Sequence, residues 1–314
     1  MSEKPSLNHP WLVAVWPGMG QVAISAGFYM MAKLGMRQLA EISARDLFDV
    51  EHVEVEGGLI RSGHMPRSRL FVWIDPRKKH DIVLFIGEAQ PPAGKYAFCQ
   101  KLVEYAHLLG VERVFTFAAM ATAMHPRDAS RVFGAAIDQE QLAELRQMEV
   151  EIIEDGQIGG LNGVLLGAAA ERGLRGACLL GEMPHVFAQL PWPKASLAVL
   201  KVFTMIADIE IDTAELFEQS KTVEEHLSEL LSQVEEALEQ QSSAEEAELA
   251  EESEFAESSE QDQLRGEDQQ RIEQLFEAAR QDRSKAYELK RQLDELEVFE
   301  EYEDRFLDLF KSDR

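Results

Sequence analysis

Cysteine is almost missing from this 314-residue chain, with only Cys99 and Cys178, both in apolar surroundings and outside any C-x-x-C or Cys/His spacing. Neither a disulfide framework nor a cysteine-based zinc centre is therefore expected, and both residues read as buried, reduced thiols. Long apolar runs are missing too. No stretch reaches 18 uninterrupted apolar residues, so none is expected to span a membrane. The opening Met1-Ser2-Glu3-Lys4-Pro5 lacks the basic-then-apolar layout of a secretory signal, and the expected location is the cytoplasm. The eight histidines show neither H-E-x-x-H nor a paired-ligand spacing, so no metal and no cofactor are expected. Positive charge is the scarcer sign, with 31 Lys and Arg against 57 Asp and Glu for a net charge of -26. Direct binding to nucleic acid or to an anionic membrane is not expected on that ground, because phosphate contact needs a positive face.

The acidity is uneven. Residues 213–314 carry 32 acids and 11 bases, whereas residues 1–212 carry 25 and 20. A nearly balanced core over 8–212 is thus followed by an acidic appendage. Apolar residues make up 45% of the chain, an ordinary globular share.

Within the core, strand-like and helix-like stretches alternate. Residues 11–16 form a short apolar run that ends at Pro17-Gly18, and residues 20–34 carry small and apolar side chains at helical spacing. A strand is expected over 38–43, an alternating segment over 52–55, and a bend at Gly57-Gly58. Residues 69–74 and 81–86, joined by a polar, proline-bearing connection, read as an antiparallel hairpin. An amphipathic helix over 94–109, strands over 113–118 and 132–137, a helix capped by Asp138, a helix over 161–172 and a strand over 175–180 follow. Pro191-Trp192-Pro193 then leads into an apolar helix over 194–207. This alternation predicts an α/β fold, a three-layer αβα sandwich whose sheet the hairpin makes mixed.

The appendage divides into an amphipathic helix over 213–241, an acidic linker over 242–264 and a helical tail over 265–314. In the tail, apolar residues spaced three and four apart run from Ile272 to Leu296 and shift register near Phe299, with Asp282 inside the stripe. Such a stripe needs a partner. Packing against the 213–241 helix or the core is expected.

Candidate ligand-binding residues lie where strands run into helices. Gly18-Met19-Gly20-Gln21-Val22-Ala23 fits G-x-G-x-x-A, in which free helix-terminal amides hold a pyrophosphate, and Glu41 sits where a ribose-binding acid belongs. Against this, a dinucleotide fold needs a helix and a third parallel strand next, where an antiparallel hairpin is expected. Tight strand-to-helix packing is the competing reading. Glu88 and Gln90, in Gly87-Glu88-Ala89-Gln90-Pro91-Pro92, either bind a small polar molecule or tie down their turn. Asn162, in Gly159-Gly160-Leu161-Asn162-Gly163, and Glu182, in Gly181-Glu182-Met183-Pro184, complete the candidate cleft. No catalytic constellation emerges. Trp192 is either an anchor between copies of a homo-oligomer or a ring folded onto its own core.

Taken together and in order, Pro17–Ala23, Gly87–Pro92 with Tyr96, Gly159–Leu166 and Gly181–Pro184 resemble the signature blocks of the proteasome assembly chaperone family of the second-chaperone (PAC-two) type. The ending Phe299-Glu300-Glu301-Tyr302-Glu303-Asp304-Arg305-Phe306-Leu307 resembles the acidic helical tail of bacterial members. The resemblance implies a nucleoside-phosphorylase-like core, assembly into a homo-oligomer, and a non-catalytic scaffold or chaperone role. Its client would be a protein, namely proteasome subunits where the cell has them. The alternative is an enzyme of that fold acting on a small polar or phosphorylated ligand. Relatives that dock on proteasomes end in hydrophobic–tyrosine–any residue. This chain ends Lys311-Ser312-Asp313-Arg314, so docking through the terminus is not expected.

Overall fold

Side chains of β1 (Trp11–Val15) alternate between two apolar layers: Val13 and Val15 enter one, Leu12, Ala14 and the following Trp16 the other. A strand covered on both faces reads as a continuous apolar run, which is why the sequence shows it so clearly. The computed structural model describes residues 6–233 except 44–46, 49–52, 62 and 64, and further on residues 266–281, 285–296, 298, 299, 302, 305 and 306. Two units divide the chain, Met1–Glu236 and Ala237–Arg314.

The first unit is built on an eight-stranded sheet. Besides β1 it contains β2 (Arg37–Ile42), β5 (Ser68–Trp73), β6 (Ile82–Gly87), β7 (Arg113–Thr122), β8 (Val132–Ala136), β9 (Glu151–Ile152) and β10 (Arg175–Pro184). The spatial order is β2-β5-β6-β1-β7-β10-β8-β9, and β3 (Glu54–Glu56) and β4 (Leu59–Arg61) form a separate hairpin. Strands β6, β1, β7 and β10 are mutually parallel. Antiparallel pairing of β5 with β6 and of β8 with β10 makes the sheet mixed. Helices α1 (Val22–Lys33) and α5 (Pro193–Ala207) supply one apolar layer, together with Leu216 and Leu227 of α6, which is helical over 214–233. Helices α2 (Lys95–Leu109) and α4 (Gly160–Glu171) supply the other. The three-layer αβα sandwich with a mixed sheet is thus the fold. The Asp138 side chain caps α3 (Gln139–Gln147), its carboxylate accepting the Gln141 N–H at 2.9 Å.

Two features depart from the sequence reading. Strands β7 and β10 continue to Thr122 and Pro184, paired in register throughout, past the ends suggested by their apolar runs. Strand β2 lies at the sheet edge, antiparallel to β5, with a bulge between Gln38 and Ala40.

In the second unit, α7 (Gly266–Gln281) packs on α8 (Ala286–Glu295). Ile272, Phe276 and Ala279 meet Ala286, Leu289, Leu293 and Phe306, so the described part of the apolar stripe is closed by a helix pair inside the unit itself. Both terminal nitrogens of Arg305 reach Glu273 at 2.5 Å, and its guanidinium lies 4.3 Å from the Phe276 ring. The expected linker over 242–264 and the end of the 213–241 helix lie outside the described residues. Among those described, no helix is long and apolar enough to cross a membrane.

Candidate functional site

The carboxyl ends of β1, β6, β7 and β10 bring the sequence-singled loops to one edge of the sheet, where open α/β sheets place their ligands. The chemistry there turns inward. Gln90 donates from Nε2 to the Pro17 carbonyl at 3.3 Å, and its Oε1 accepts the Leu161 N–H at 3.2 Å. One side chain thereby ties the β1–α1 loop to the start of α4. Gly160 makes this possible. Its φ is +68°, and a Cβ there would stand 2.9 Å from Gln90 Oε1.

The G-x-G-x-x-A loop is equally committed. Gly20, at φ +59°, donates its N–H to Ala188 at 2.8 Å and accepts from Trp192 N–H at 2.8 Å, while a Cβ would fall 2.5 Å from Met183 Sδ. The Gln21 N–H donates to Gly18 at 3.0 Å. Amides that would hold a pyrophosphate are thus spent within the chain. Gly18 itself is extended and exposed, with open space where a Cβ would sit. Glu41 belongs to the edge strand β2, separated from β1 by β5 and β6, so the ribose position of the dinucleotide scheme is not formed. Tight packing is the reading the geometry supports here.

Glu88 accepts from the Arg67 N–H at 2.9 Å and from Arg69 Nη2 at 2.5 Å, an ion pair that fastens the end of β6 to the start of β5. Glu182 is 1% exposed. Arg131 grips it through Nε at 2.7 Å and Nη2 at 2.6 Å, and the Thr122 hydroxyl donates at 2.7 Å. These bonds, those of Arg131 foremost, hold the Glu182 carboxyl below the usual carboxylate range. Asn162 accepts from Thr116 Oγ1 through its backbone carbonyl at 3.3 Å, and its buried Oδ1 has no partner among the described residues.

Trp192, a candidate interface anchor, is 1% exposed and belongs to its own core. It stacks on Phe187 with centroids 6.5 Å apart, and Nε1 donates to Ser130 Oγ at 3.4 Å. A ring with no free surface has nothing to offer a second copy, so the folded-back reading replaces the interface one.

Arg131, Thr122 and Arg69 are the working residues that sequence reasoning missed. An acid placed on a core strand demands a cation nearby, but only the register of β8 on β10, Val132 opposite Gly181, points to Arg131. Burial pushes both thiols, Cys99 and Cys178, up to about 12, which removes them as nucleophiles at neutral pH. A cavity of about 760 Å³ lies away from this edge, at the amino ends of β7 and β10 beside α3. There Arg113, paired with Glu144, lies 4.1 Å from the Trp11 ring centroid.

Comparison with known proteins places this geometry. The uncharacterized protein MJ1210 of Methanocaldococcus jannaschii is 26% identical over 233 residues, covering 74% of this chain and 87% of its own length. Among solved structures, Pyrococcus furiosus PbaB, described as an archaeal proteasome activator, superposes with a TM-score of 0.62 at 25% identity, covering 73% of this chain and 96% of PbaB. Pyrococcus furiosus PbaA, described as an archaeal homolog of proteasome-assembly chaperone, gives 0.57 at 25% identity, covering 75% and 97%. The family model for PAC2 matches residues 12–231, nearly the whole first unit, and the chain therefore belongs to the PAC2 family.

Proposed function

We propose that this chain is a non-catalytic, chaperone-like protein that acts through contact with other protein subunits. The observation that carries the reading is the state of the sheet edge: Gly20, Gln90, Glu88 and Glu182 are all engaged in tying loops together. A fold that spends its ligand-binding edge on internal ties is suited to presenting a rigid surface. Membership of the PAC2 family, with PbaA and PbaB as solved relatives, supports proteasome subunits as the client where the source cell has them. Assembly into a homo-oligomer, a cytoplasmic setting and a bacterial affiliation, the last read from the acidic tail, are parts of the same proposal.

Full-length protein mixed with separately purified α-type proteasome subunits and followed by native mass spectrometry tests it. A complex of defined stoichiometry is expected. In parallel, thermal shift against nucleotides, nucleosides and inorganic phosphate should stay flat, since a ligand at 100 times its dissociation constant adds about 2.7 kcal/mol. A reproducible shift abolished by Asn162→Ala, with no subunit complex, would overturn the proposal in favour of an enzyme acting at this edge.

A further inference from the structure

Between α5, α6 and the β8–β9 end of the sheet runs a groove of about 520 Å³. Leu197, Val202 and Met148 make its apolar floor, and Met205 and Phe217 stand on its walls at 54% and 40% exposure. Large apolar side chains grouped along one groove mark an interaction surface more than isolated ones do. Methionine walls add adaptability, because the thioether repacks around varied partners.

The charges around the groove decide what it accepts. Lys194 is neutralised by Glu224 at 2.8 Å, and Arg131 by Glu151 and Glu182. Lys201 and Lys221 differ. No carboxylate among the described residues lies within 4 Å of either, and both ammonium groups sit over the Phe217 ring, at 5.8 and 4.6 Å from its centroid. In a chain of net charge -26 this is a local positive spot on an apolar ground. A second copy docking with this spot on the two-fold axis would bring Lys201 and Lys221 against their own counterparts, which disfavours a symmetric contact centred there. Nucleic acid is a poor fit as well, because Glu149, Glu151 and Glu224 interrupt any track of positive charge.

We infer that this groove docks an acidic amphipathic peptide segment of a partner protein, with an aromatic or leucine side chain seated against Phe217 and Met205 and carboxylates meeting Lys201 and Lys221. The inference rests on the reading of the protein as a binder of other polypeptides, and names the chemistry that one of its surfaces recognises. It is the helix-in-groove or extended-segment mode of recognition, with apolar anchors for affinity and charge for selectivity.

The test is a displayed library of random 16-residue peptides selected on immobilised full-length protein, followed by fluorescence anisotropy on the enriched sequences. Peptides rich in Asp and Glu around Phe, Trp or Leu are expected. Their affinity should fall about tenfold or more in the Lys201→Glu/Lys221→Glu double variant, and again when salt is raised from 50 to 500 mM. Both lysines are exposed, so unchanged circular dichroism and melting will show that the variant folds. Absence of enrichment, enrichment without acidic bias, or equal binding by the double variant would each overturn the inference. If the wild type binds α-type subunits while the library yields no acidic peptides, the groove fails and the proposed function stands. If the subunit complex fails while acidic peptides bind and depend on both lysines, the groove stands and the proteasome client falls.

Discussion

Glu182 sits at 1% exposure and stays charged because the Arg131 guanidinium reaches both its oxygens, the Arg131 backbone N–H donates to Oε2 and the Thr122 hydroxyl adds a fourth donor. Glu182→Gln keeps the shape but turns one acceptor oxygen into an amide donor facing donors. About 2 kcal/mol of stability should be lost in urea unfolding, in the range of a hydrogen bond to a charged group. An unchanged midpoint would show that the clasp contributes nothing. The thiols give a second residue-scale expectation. With burial pushing Cys99 and Cys178 up to about 12, iodoacetamide at pH 8 should leave both unlabelled in the native protein and modify both in urea. Rapid native labelling would contradict their burial. Residue types were legible in the sequence here: two apolar-flanked cysteines, and an acid at the end of a core strand. The partner of that acid was not, because Arg131 is 51 residues away and only a strand register brings it close.

At the scale of elements, local signals carried far. The apolar strands, the 69–86 hairpin and the Asp138 cap follow from period, turn chemistry and a side-chain oxygen at the right place. Long-range placement did not follow. Nothing within residues 37–42 says that the strand crosses to the sheet edge, and Glu182 breaks the apolar run that would have extended β10 to Pro184. The first glycine-rich loop shows the same limit. Its pattern fits a pyrophosphate site, yet Gly20 is glycine because its φ is +59° and Met183 Sδ occupies the space of a Cβ. Gly20→Ala should therefore cost about 1–3 kcal/mol, through left-handed strain and displacement of Met183, and should loosen the 185–192 turn that hydrogen-bonds to it. Hydrogen exchange of the residue-20 amide, which donates to the Ala188 carbonyl, and of the Trp192 amide, which donates to the residue-20 carbonyl, is the measurement. Protection equal to wild type would mean that the loop is not pinned there.

Over the whole molecule, two electrostatic effects oppose each other as pH falls. The net charge of -26 relaxes toward a pI near 4.7, which relieves self-repulsion. Most of that excess lies in residues 213–314, and at 0.15 M salt exposed charges are screened beyond about 8 Å. Buried groups are screened far less. His80 is 8% exposed and stacks on Trp11 at 4.0 Å, with Arg113 lying 4.1 Å from the same ring. Burial, first, and the charges of Arg113 and Arg77 drive its pKa below the ordinary 6.5, against an opposing pull from Asp75 and a backbone bond at Ala207. Below pH 6.5 the unfolded chain therefore binds more protons than the folded one, so the contribution of His80 is whole above 6.5 and lost as pH falls toward its depressed folded value. Glu182, also depressed, adds a second loss below the ordinary carboxylate value of 4.5. The buried groups should prevail. The melting temperature in 0.15 M salt is expected to hold between pH 7.5 and 6.5 and to fall from pH 6.5 to 5.5, and His80→Phe, which keeps a ring against Trp11, should flatten that fall. A wild-type melting temperature that climbs toward the pI, or a His80→Phe slope equal to wild type, would mean that surface repulsion governs the acid response instead.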